Sequence, residues 1–71
     1  MKECELYYLN GEQLEITFNY TIKMNGWVCT ARISGFPVIS FGKHFMKKQA
    51  KALSLERILL AYGAISTLIP I

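Results

Sequence analysis

The chain has 71 residues, a net charge of +3 and a pI near 9.0: enough for one domain with a modest core, too little for a cleft buried between two layers of its own. Charged residues make up 18%, so the basic bias favours acidic partners but excludes a polybasic tail; Cys4 and Cys29 lie in separate segments, form no paired zinc or redox motif, and read as free thiols in a reducing compartment. Hydrophobic residues reach 52% and mean hydropathy is +0.25, high for so small a domain, so some apolar surface is expected to stay exposed or to meet a partner.

Met1-Lys2-Glu3-Cys4-Glu5 is followed by no apolar run of signal-peptide length, and an intracellular location, cytoplasm or nucleus, is expected. Residues 2–9 leave two readings open: Glu5-Leu6-Tyr7-Tyr8-Leu9 fits a short helix ending at Asn10-Gly11, or an extra strand. From Leu14 the pattern is clear. Leu14, Ile16, Phe18, Tyr20 and Ile22 alternate with Glu15, Thr17, Asn19, Thr21 and Lys23, as on a half-buried strand. Asn25-Gly26 then signals a two-residue hairpin turn, which pairs Met24 with Trp27, Ile22 with Cys29, Tyr20 with Ala31 and Phe18 with Ile33, all on the apolar face.

A second turn around Ser34-Gly35-Phe36-Pro37 leads to a third strand, Val38 to Gly42, with Pro37 at its start or on an edge. Residues 47–62 read as a helix whose apolar arc, roughly 120° wide, holds Ala52, Leu55, Ile58, Leu59 and Tyr62, with Gly63 placed to end it. Ile58 to Ile71 carries no charge but is too short to span a bilayer and contains Gly63 and Pro70, so no membrane partner is expected; Ala64 to Ile71 fold back over the domain or pack on a second copy.

Lys47, Lys48 and Lys51 fall at the start of that helix, where each unpaired cation costs roughly 0.3–1 kcal/mol against the helix dipole. An anion such as a phosphate, bound by the lysines and by free backbone N–H groups, would offset this. The expected geometry has the later turns packed on the sheet while the first turn overhangs its edge and presents its ammonium groups to solvent.

With these elements placed, residues 27–59 resemble the C-terminal two-thirds of a double-stranded-RNA-binding domain. The family pattern G-x-G-x-G-x-S-K-K-x-A-K is matched by Ser40-Phe41-Gly42-Lys43-His44-Phe45-Met46-Lys47-Lys48-Gln49-Ala50-Lys51, followed by Ser54-Leu55 and Ile58-Leu59, with no gap. Ser40 and His44 stand at two of the loop-glycine positions, Met46 stands at the serine, and the loop between the first two strands shrinks to Met24-Asn25-Gly26. The resemblance implies an α+β fold of α-β-β-β-α order: a three-stranded antiparallel sheet packed on one face by a C-terminal helix, with a short or truncated N-terminal helix. It implies shape-directed binding of double-stranded RNA, weak in isolation, with Lys47, Lys48, Lys51 and Lys43 on phosphates across the major groove.

A different reading is a protein-interaction or dimerisation module of the same ancestry, using an exposed apolar edge or the tail. A third is a DNA-binding domain of the AP2 or integrase-arm type, to which Gly26-Trp27-Val28 and Ala31-Arg32-Ile33 are also similar; the neutral outer positions Thr17, Asn19, Thr21, Val28 and Thr30 speak against it. Trp27 and Tyr20 read as core rather than as a stacking platform. No cofactor, metal or catalytic activity is expected: the lone His44 lies in a basic loop, and Glu3, Glu5, Glu12 and Glu15 read as surface residues.

Overall fold

A computed structural model of the chain describes residues 1–68. Strand β1 (Lys2–Leu9) is followed by β2 (Glu12–Lys23), β3 (Gly26–Ile33), β4 (Ile39–His44) and helix α1 (Lys47–Leu68). The strands form one antiparallel sheet in the order β1-β2-β3-β4. This corrects the expected three-stranded sheet with an N-terminal helix: the first segment is a strand, and α1 is the one helix among the described residues.

The reason lies in residues 2–11. Lys2, Cys4, Leu6 and Tyr8 are exposed, while Glu3, Glu5, Tyr7 and Leu9 are partly buried, a period of two that no helix shares. Asn10 and Gly11 have φ of 52° and 80°, the pair of left-handed conformations of a type I′ turn. The turn sets Leu9 opposite Glu12 and Lys2 opposite Asn19.

The second hairpin also differs from expectation, by two residues. Lys23 pairs with Gly26, Ile22 with Trp27, Tyr20 with Cys29 and Phe18 with Ala31, so Met24-Asn25 is the turn and Gly26 opens the strand. Gly26 is needed there for another reason. A Cβ on it would lie 2.6 Å from the His44 carbonyl oxygen and 2.8 Å from Phe45 Cα, and its φ is 126°. Because the shift is even, the apolar residues keep their face.

Leu14, Ile16, Phe18 and Tyr20 of β2 and Cys29, Ala31 and Ile33 of β3 form the buried floor. α1 lies over β3 and β4 and buries Ala50, Ser54 and Ile58, with Leu55, Leu59 and Tyr62 alongside; Ala52, expected in this arc, is exposed. Phe36 of the β3–β4 connection is buried and meets Tyr62 edge-on at 5.1 Å. The helix does not stop at Gly63 but continues through it to Leu68. Residues 69–71 of the expected fold-back tail lie outside the described residues.

Candidate functional site

The four lysines of the expected nucleic-acid site separate into two pairs. Lys47 and Lys51 turn inward over β1 and β2, whereas Lys43 and Lys48 are exposed and, among the described residues, have no ion-pair partner. The anticipated overhang of the first turn therefore does not hold for Lys47 and Lys51. Lys51 lies across Phe18, its Nζ 5.0 Å from the ring centroid, and reaches Glu5 Oε2 at 2.5 Å and Glu3 Oε1 at 3.5 Å. Lys47 Nζ is 4.6 Å from the Tyr20 centroid, 5.6 Å from that of Trp27 and 3.9 Å from Glu3 Oε2.

Tyrosines on the same face hold the two carboxylates from below. Tyr20 Oη donates to Glu3 Oε1 at 2.7 Å, and Tyr7 Oη donates to Glu5 Oε1 at 2.6 Å. The Tyr20 hydrogen bond, then Lys51, holds the Glu3 carboxyl below its ordinary value; the Lys51 hydrogen bond, then that of Tyr7, does the same for Glu5. The Glu5 hydrogen bond raises Lys51, while burial and then a carboxylate neighbour raise Tyr20 and Tyr7. The anion that offsets cations at a helix start is thus supplied by the chain itself, from β1.

Residues of the glycine-rich loop pattern have packing roles. A Cβ on Gly42 would strike the Ala50 carbonyl oxygen and lie 2.6 Å from the Ser54 backbone nitrogen, so only glycine lets α1 come this close to β4. Ser40, at a loop-glycine position, is buried and donates from Oγ to the Ser54 carbonyl at 2.6 Å. Ser54 Oγ in turn donates to the Lys51 carbonyl at 2.9 Å and lies 3.2 Å from Cys29 Sγ. His44 accepts the Met46 N–H on Nδ1 at 3.1 Å, and the Met46 carbonyl in turn accepts the Ala50 N–H at 3.0 Å. Burial raises the Cys29 thiol above its ordinary value, and Cys4 is an exposed free thiol.

Glu3 and Glu5, which read as surface residues in the sequence, and Tyr7, in the segment that fits either a helix or a strand, together hold the lysines. Their signal was the spacing of two, which puts both carboxylates on one strand face beside an aromatic hydroxyl. Tyr20 is core and Trp27 partly buried, meeting edge-on at 6.3 Å.

The face of the sheet away from α1 is uncovered. Its middle is polar, with Thr17, Asn19, Thr30 and Arg32, but its margins carry exposed Leu6 and Tyr8 on β1 and exposed Ile39 and Phe41 on β4. Arg57 reaches over the β4 margin and donates to the Phe41 carbonyl at 2.6 Å. The chain matches no family model, and no curated protein or solved structure matches it. Among the described residues no helix is long and apolar enough to cross a membrane, and no group of three His, Cys, Asp or Glu is placed to hold a metal.

Proposed function

We propose that this domain is a protein-interaction module that self-associates through the uncovered sheet face on its β3–β4 side. The observation that supports it best is chemical. A sheet with one solvated face normally alternates apolar-in and polar-out, and edge strands usually carry charges. Here β4 turns Ile39 and Phe41 outward, with Val28 diagonal to Phe41 on β3.

Duplex-RNA binding is the rival, and two features weigh against it. Lys47 and Lys51 would have to leave Glu3 and Glu5 before meeting phosphates, and a strand stands where the family has its first helix. Lys43 and Lys48 alone would neutralise two phosphates, for a salt slope of about −1.4 to −1.8 on a logarithmic plot.

Sedimentation velocity over a wide concentration range tests this reading. The wild type is expected to associate and Ile39→Lys/Phe41→Lys to remain monomeric. A wild type that stays monomeric throughout, but binds an RNA duplex and loses that binding in Lys43→Ala/Lys48→Ala, would establish the rival instead.

A further inference from the structure

One end of the molecule gathers residues from segments far apart in sequence. The Met24-Asn25 turn of the β2–β3 hairpin abuts the link between β4 and α1: Trp27 pairs with both Ile22 and His44, and Gly26 lies directly against the His44 and Phe45 backbone. Four large apolar side chains project there into solvent, Met24 at 102% relative exposure, Phe45 at 77%, Ile22 at 70% and Met46 at 56%. Interleaved with them are the exposed cations Lys23, Lys43 and Lys48, and neither residues 22–26 nor residues 43–48 include an acid. This surface adjoins the β3–β4 face considered above at Lys43, which pairs with Val28, but its apolar side chains are different ones.

From this juxtaposition we propose a membrane-surface site: the end of the molecule that carries exposed Ile22, Met24, Phe45 and Met46, together with the neighbouring exposed Lys23, Lys43 and Lys48, docks onto an anionic lipid surface. Charge complementarity selects the anion. The projecting apolar groups select a lipid over a nucleic acid: a duplex offers such side chains a place only by unstacking its bases, whereas a bilayer interface accepts all four at once. Lysine stems lie along the inserted groups while their ammonium heads stay among the lipid phosphates. The membrane here is a surface to rest on, which requires no spanning helix.

Flotation of the full chain with two kinds of vesicle tests this, one of phosphatidylcholine alone and one of equimolar phosphatidylcholine and phosphatidylserine. Wild type is expected to float with the anionic vesicles only, and less so as salt rises. Each lysine near an anionic surface is worth roughly a fivefold gain in partitioning, so Lys23→Gln/Lys43→Gln/Lys48→Gln is expected to lose roughly a hundredfold. Phe45→Ser/Met46→Ser should lose about tenfold or more for each inserted side chain. Met24→Ser, at a fully exposed turn position, gives the same test without risk to the fold. Equal flotation with both vesicles, no flotation, or unchanged partitioning in all three variants would overturn the proposal. So would an RNA duplex that binds in place of vesicles and is lost with the same lysines.

Discussion

The inner face of the sheet is covered by two different kinds of chemistry. Over β3 and β4, α1 comes so close that Gly42 meets the backbone at Ala50 and Ser54, and the contact is made of small buried side chains and the hydrogen bond from the Ser40 hydroxyl to the Ser54 carbonyl. Over β1 and β2 the helix body is absent, and Lys47 and Lys51 extend across Tyr20 and Phe18 to carboxylates on the far strand. The first half is held by shape, the second by aliphatic stems that shield the aromatic floor and by charges at their ends. A helix placed off-centre over four strands needs both.

The largest effect is expected on the close-packed half. Gly42→Ala should lose about 1–3 kcal/mol in urea unfolding, because the helix must lift before a methyl group fits. On the other half, Lys51→Ala should lose about 1 kcal/mol and Lys51→Met clearly less, since methionine keeps most of the stem. Equal losses would mean that the charge matters and the stem does not. At Gly63, where a Cβ meets open space, Gly63→Ala should gain about 0.5–1 kcal/mol, setting a helical glycine free of contacts against Gly42.

The smallest effect is a pH dependence confined to the charged half. Glu3 and Glu5 have folded-state values below the ordinary 4.5, so the unfolded chain binds more protons in that window. Their contribution is full above about 4.5 and is lost as pH falls through the folded values. Lys51, raised above 10.5, contributes fully below that value and loses its contribution as pH rises through the folded one. Thermal unfolding between neutral pH and pH 3 should be flatter in Glu3→Gln/Glu5→Gln than in wild type, and unaltered in Gly63→Ala.

The same division explains what was legible in the sequence. Strands β2 and β3 follow from alternation because their inner positions are apolar, whereas in α1 the stripe finds Leu55, Ile58, Leu59 and Tyr62 but takes in exposed Ala52 and misses buried Ala50 and Ser54. β1 was ambiguous because half of its inner positions are Glu3 and Glu5, which only look inward-facing once two lysines are known to lie above them. The hairpin register went to the Asn25-Gly26 turn signal because the crossing of His44, which reserves Gly26 for the strand, is a tertiary fact. The direction of Lys47 and Lys51 was hidden for a similar reason. A helical projection puts them beside the apolar arc, but whether they pass the sheet edge or lie across it depends on a fourth strand.

The central claim is that Lys51 belongs to the fold, and a double-mutant cycle on Lys51 and Glu5 tests it most directly. Unfolding free energies of wild type, Lys51→Met, Glu5→Gln and the double variant should reveal a coupling of about 0.5–1 kcal/mol, weakened by salt. Strictly additive losses, with no coupling at any salt concentration, would contradict it and return Lys51 to the residues free to meet a ligand.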